Sequence, residues 1–167
     1  MTFRLKKDTK VWDKLKRDMS PKNGLEIQLG WFPEHRYGPE NSNQPMAYIA
    51  MLNELGHING ADALIPGATT PPRPFIRVGL YQAMKTSPTK AEFEKMIKRV
   101  ISGKSVMTAL TQSSNFFENL LKKVMRDWDT PPNAALTIEM KGFNDPLRNT
   151  GELIDNVTAK VVKKGSN

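Results

Sequence analysis

The sequence predicts an α+β domain: a small antiparallel or mixed sheet packed against several helices, with a basic N-terminal helix. Three observations carry this. Apolar residues recur at helical spacing over most of the chain after residue 45. Two stretches, one early and one late, read instead as strands. Basic charge gathers at one end: residues 1–22 hold eight Lys/Arg against three Asp, so +5 of the net charge of +8 lies there and +3 in the rest. The expected organisation is a basic helix within 1–22 and one α+β domain over 23–167.

The first helix is expected over 3–19, because Val11, Trp12, Leu15 and Met19 fall three to four apart with lysines between them. Ser20-Pro21 and Asn23-Gly24 end it. In GLEIQLGWFP, Leu25, Ile27 and Leu29 alternate with Glu26 and Gln28, the pattern of a half-buried strand, and Pro33 closes it. A polar loop covers 34–44. Pro45 opens a helix over MAYIAMLNEL, apolar on nearly every side and so expected to be buried, and Gly56 is the expected left-handed cap. The segment 57–72, HINGADALIPGATTPP, has no period and reads as a long loop. Pro71, Pro72 and Pro74 fix three φ angles within four residues.

Pro74 opens FIRVGLYQAMK, which should bury Phe75, Val78 and Tyr81. SPTKAEFEKMIKRVIS follows, with Ser87 as cap and Pro88 in the first turn. Residues 104–128 form the longest expected helix, with Val106, Leu110, Phe117, Leu121, Val124 and Trp128 on one stripe. AALTIEMKG is a short helix or an irregular segment. Asn149-Thr150-Gly151 begins a turn, with Thr150 as cap over Leu147 and Leu153. NVTAKVV is the closing strand. Two strands make a marginal sheet, so a third is expected, from 35–44, from the 57–70 loop or from a neighbouring subunit.

The chain has 167 residues, 38% of them hydrophobic, and no cysteine. Disulfides, thiolate metal sites and cysteine nucleophiles are thereby excluded. No run approaches the roughly 18 apolar residues of a membrane span, and the N-terminus lacks the apolar core of a secretory signal. The expectation is a protein made and kept in a cytosol, with no membrane partner. GxGxxG and GxxxxGK[ST] are both missing; SGKS at 102–105 lacks the upstream glycine and follows a helix, so it reads as a helix break capped by Ser102 or Ser105. His57 has Glu54 three residues away, but nothing in the sequence marks an orienting group or a dry pocket. His35 with Glu34 offers two metal ligands where three are needed. Glu92 and Glu94 point to different helix faces, and Glu118 with Lys122 reads as a solvent pair. Neither catalysis nor a cofactor is expected. Trp12, Trp31, Phe32 and Tyr37 lie near basic residues, a mix that a nucleic-acid face could use; aromatics at such spacing are more often core.

Four segments, taken together and in order, carry a resemblance. They are GLEIQLGWFPE, MAYIAMLNELG, PPRPFIR and PPNAALTIEMKGFNDPLRNTGELIDNVTAKVV. The chain resembles, over about residues 24–163, the tail-completion and virion-morphogenesis proteins of tailed bacteriophages, which build the neck and the head-proximal tail. The family usually passes from its NE-x-G to its P-x-R-P-F in a few residues; this chain inserts HINGADALIPGATT. The resemblance implies a structural virion protein that assembles with copies of itself, six or twelve in a ring, against neck, tail-tube or connector proteins. Duplex DNA would pass through such a ring without specific binding. The location implied is the virion, with assembly in the host cytoplasm.

The residues expected at interfaces are Arg73, Phe75 and Arg77 after the proline hinge, His57, Ile58, Leu64 and Ile65 in the loop, and Lys6, Lys7, Lys10, Trp12 and Lys14 on the first helix. Ordering a proline-locked segment loses little entropy, and arginine can grip a neighbour's carboxylate with two bonds. The alternative for Arg73 is that it caps carbonyls of its own chain. Lysines lining a channel would hold DNA by its phosphates and hinder its passage, so the first helix is expected to face protein or the outside. Asn53, Glu54, Gly56, Pro72, Pro74, Thr150, Gly151 and Leu153 are expected to determine the fold, the polar ends of Asn53 and Glu54 being satisfied by backbone of the following loop. The alternative function is a basic nucleic-acid-binding module.

Overall fold

A computed structural model describes residues 9–20, 22, 24–61, 63 and 65–165. Lys6, Lys7, Leu64 and the expected helix turn over 3–8 lie outside them. The chain runs α1 (Thr9–Asp18), β1 (Leu25–Gly30), α2 (Met46–Leu55), β2 (His57–Ile58), β3 (Thr69–Thr70), a π-helical turn (Phe75–Leu80) continued by α3 (Tyr81–Ala83), α4 (Ser87–Ile101), α5 (Val106–Arg126), α6 (Ala135–Lys141), α7 (Glu152–Asp155) and β4 (Thr158–Lys163). This is the α+β class that the two strand-like stretches and the helical remainder predict.

β1 and β4 pair antiparallel, with Ile27 opposite Val161 and Leu29 opposite Ala159. Residues opposite each other share a face, so these four make the apolar side of the ribbon, and α5 packs against both strands. The expected third strand does not join this sheet. Residues 57–70 instead pair with themselves, His57 with Thr70 and Ile58 with Thr69, and 34–44 contributes only a bridge between Arg36 and Pro45. Asn59 fastens the loop. Its backbone N–H donates to Ala68 O, its Nδ2 to Ile65 O, and its Oδ1 accepts from Thr70 Oγ1.

α5 is the spine. Val106, Ala109, Ser113, Phe117, Leu121 and Met125 are buried along one face at spacings of three and four, while Leu110, Val124 and Trp128 are half-buried beside it. Ser105 caps α5, its Oγ accepting from Thr108 N at 3.0 Å. The core joins Leu121 and Met125 to Met46, Ala50, Phe75, Leu147, Leu153, Ile154 and Val157. Ser113 is polar within the stripe because α4 brings Glu92 to it. Ser113 Oγ donates to Glu92 Oε1 at 2.6 Å, Arg99 donates to the same oxygen at 3.0 Å, and Lys95 pairs with Oε2. Burial alone would raise the Glu92 carboxyl, but the bonds from Ser113, Arg99 and Lys95 prevail and hold it below its ordinary 4.5.

Several expectations are corrected. α2 is not enclosed: Met46, Ala50 and Glu54, four apart on one face, are buried, but Tyr48, Met51 and Leu55 are exposed, because each turn gives one residue to the core and the apolar residues on the other faces meet no layer. After the hinge, Phe75 is buried as expected, whereas Val78 and Tyr81 are exposed, since the π turn rotates them away from α5. Thr86 rather than Ser87 precedes α4. Gly151, at φ 100°, rather than Thr150, is the residue before α7; Thr150 Oγ1 reaches only Glu152 N, at 3.4 Å. The Glu118–Lys122 pair is mostly buried, and Glu118 Oε2 also accepts from Ala159 N, so it ties α5 to β4.

Candidate functional site

The end of α2, the proline hinge and the 131–133 segment converge on one hydrogen-bonded node. Its logic begins with missing donors. A helix leaves its first N–H groups unpaired, and Pro74 has none to give. Phe75 N donates to Arg73 O at 2.8 Å. Ile76 N and Arg77 N donate to the two oxygens of Glu54, at 2.9 and 3.0 Å. Val78 N and Gly79 N both reach Pro74 O, the second bond spanning the five residues of a π turn. Glu54 is thus an N-terminal cap supplied from another helix, and the bonds it accepts are charge-assisted. Arg77 Nε adds a third at 2.9 Å, and its NH2 reaches Glu54 O.

Asn53, beside Glu54, holds the other arginine. Its carbonyl accepts from Arg73 N at 2.7 Å and its Oδ1 from Arg73 NH1 at 3.2 Å. Asn53 Nδ2 turns back onto Ile49 O. Arg73 further donates from Nε to Pro131 O and from NH2 to Asn133 Oδ1. Burial pushes this guanidinium below its ordinary value. Trp31 closes the node from the β1 side: its ring meets Phe75 edge to face at 6.3 Å, and its Nε1 donates to Leu153 O at 2.7 Å.

Two glycines are required here. Gly56 has φ 73°, and a Cβ there would stand 2.8 Å from both Thr70 O and Pro72 N. The left-handed cap expected at this position is only half realised, for ψ is 163° and the backbone leaves the helix extended into β2. Gly79 lets the π turn lie on α5: an added Cβ would be 2.7 Å from Val124 Cγ1 and 2.8 Å from Trp128.

The expected interface residues therefore divide. Arg73 and Phe75, 6% and 0% exposed, are interior. Arg73 is enclosed rather than presented on an open face: three of its side-chain bonds go to a carbonyl and two side-chain amides of its own chain. Arg77 keeps an exposed side chain but is paired with Glu54. Asn53 and Glu54 are satisfied largely by the backbone that follows, as expected. His57 is half-buried against Leu52 O, whereas Ile58 and Ile65 are exposed. Lys10, Trp12 and Lys14 lie exposed on α1, with Lys16 over the Trp12 ring. Pro72 and Pro74 flank Arg73, and Leu153 is buried in the core. His35 Nδ1 accepts from Phe32 N, and Glu34 pairs with Lys160. Among the described residues, no three of His, Asp and Glu converge as a metal site would need.

Asn59, Ser113 and Asn133 were missed as structural anchors. Asn133 alone carries a local signal, as a polar residue directly after the Pro131-Pro132 pair.

Large apolar side chains stand on two separate outer faces. Tyr48, Met51 and Leu55 share one face of α2, at spacings of three and four, and Ile58 follows at 72% exposure. Ile97 and Ile101, four apart on α4, are 58% and 80% exposed. Beside α4, Ile27, Leu29, Met84, Met96 and Leu110 line an apolar groove of about 310 Å³. Comparison with protein-family models, with curated proteins and with solved structures found no match for this chain.

Proposed function

We propose that this chain is a non-enzymatic structural protein of a tailed-bacteriophage virion, part of the neck or head-to-tail joint as a tail-completion, terminator or collar ring. The observation that carries the reading is the pair of exposed apolar faces on α2 and α4. A ring with repeated head-to-tail contacts needs two different complementary surfaces on each copy, and exposed apolar patches mark association sites. The four segments of the resemblance support the same reading, for Trp31, Asn53, Glu54, Arg73, Phe75, Asn133 and Leu153 all belong to them. Six or twelve copies, meeting neck, tail-tube or connector proteins, suit that place.

The test is where the protein resides and how it associates. Mass spectrometry of purified particles, tails and tail-less heads should find it on one side of the joint; its absence from mature particles would overturn the proposal. In sedimentation, the wild type should form a ring-sized species, and Leu55→Asp and Ile97→Asp should each reduce it to monomer with an unchanged circular dichroism spectrum.

A second reading is favoured by α1, where Lys10, Lys14, Lys16 and Arg17 are exposed together with Trp12. A basic nucleic-acid-binding module would bind duplex DNA with an affinity that falls steeply with salt. Tight, salt-steep DNA binding by a protein that stays monomeric would replace the first reading with this one.

A further inference from the structure

We infer that the cleft walled by Arg73, Asn133 and Lys141 is a binding site for a carboxylate. This does not depend on the role proposed above. Arg73 is 6% exposed, and every acceptor it reaches is neutral: Pro131 O, Asn53 Oδ1 and Asn133 Oδ1. A guanidinium carries five N–H donors, so three are used and two remain. A buried cation without a counter-charge is costly, and such groups are ordinarily paired.

The second observation is independent. Asn133 is 8% exposed, its Oδ1 is taken by Arg73, and its Nδ2 donates to nothing. Both side chains line a cleft of about 570 Å³, together with Lys141, Asn59, Thr70 and Met140. Lys141 gives one bond to Asp145 O, leaving two of its three donors. Burial holds Lys141 below its ordinary value; Asp145 opposes this, while Arg73 and Arg148 add to it. Asp145 is the acid facing this group; its Oδ2 is paired with Arg148 at 3.0 Å and its buried Oδ1 accepts from nothing, one spare acceptor against the unused donors of Arg73, Lys141 and the Asn133 amide. The cleft thus gathers donors and positive charge in excess of acceptors. A carboxylate, with two oxygens and about four acceptor sites, supplies what the site lacks and matches the fork of an arginine.

The test uses the whole chain in acetate and in succinate, against chloride at equal ionic strength. A Tm rise of roughly 3–5 °C at tenfold the dissociation constant is expected, with movement of the Arg73 Nε–H resonance. Lys141→Gln should weaken acetate binding roughly tenfold. Asn133→Asp builds a carboxylate against Arg73, so its Tm in chloride should exceed that of the wild type and its response to acetate should vanish. Sedimentation in succinate separates the sources. Dissociation of a self-associated species places the natural carboxylate on a neighbouring copy; binding with no change of mass places it on a free small molecule. An unmoved Arg73 resonance with equal Tm in acetate and chloride overturns the inference, as does an Asn133→Asp variant that answers acetate as fully as the wild type.

Discussion

Glu54→Ala removes the cap that one helix supplies to another. Ile76 N and Arg77 N then lose charged acceptors at 2.9 and 3.0 Å in a half-buried setting. A hydrogen bond to a charged group contributes about 1.5–3 kcal/mol, so the two bonds together amount to about 3–6 kcal/mol. The ion pair with Arg77 adds less than 1 kcal/mol, because that side chain is 61% exposed and screened by water. Relief from burying a carboxylate, 8% exposed at its side chain, offsets part of the loss. The net expectation is about 2–4 kcal/mol. Arg77→Met, which removes only the exposed partner, should cost less than about 1 kcal/mol. Glu54→Gln keeps one acceptor oxygen and should fall between the two. Urea unfolding at neutral pH, with equal m values, measures all three. If Arg77→Met cost as much as Glu54→Ala, Glu54 would be acting as a surface ion-pair partner and the capping account would be wrong.

Two further outcomes follow from the same kind of reasoning. The Glu92 carboxyl lies below 4.5 when folded, so the stability it contributes is present above about 4.5 and is lost as pH falls through the lower folded value. Glu92→Gln should therefore lessen the acid dependence of Tm below that pH while lowering stability near neutrality. Gly79→Ala must displace Val124 or Trp128 and should cost about 1–3 kcal/mol in urea unfolding, the usual range for an overpacked core.

Much of the frame was legible in the sequence because its signals are local. The period of Leu25, Ile27 and Leu29 marks β1, and the spacing of Val106, Phe117 and Leu121 marks α5. What escaped was set by contacts distant in sequence. α2 reads as wholly apolar, but its exposure depends on how many layers surround it, which no window of ten residues records. Arg73 and Arg77 look alike at spacing four. Their fates diverge because Asn133, sixty residues on, encloses one, while Glu54 meets the other near solvent. The 57–72 loop hid a ribbon of two residues per strand, too short to show a period, and its fastening by Asn59 depends on a return of the chain six to eleven residues later.

The pairing of Leu25 with Lys163 also constrains how the molecule comes to be. All of α2 to α7 must be made before β1 meets the strand that completes it. α4 and α5, neighbours in sequence, can dock early, whereas the ribbon beneath α5 closes late, and chains rich in such distant pairings fold slowly. Until β4 has left the ribosome, Ile27 and Leu29 have no Val161 or Ala159 beside them, and an unfinished chain presents a lone sticky edge that a chaperone would be expected to shield.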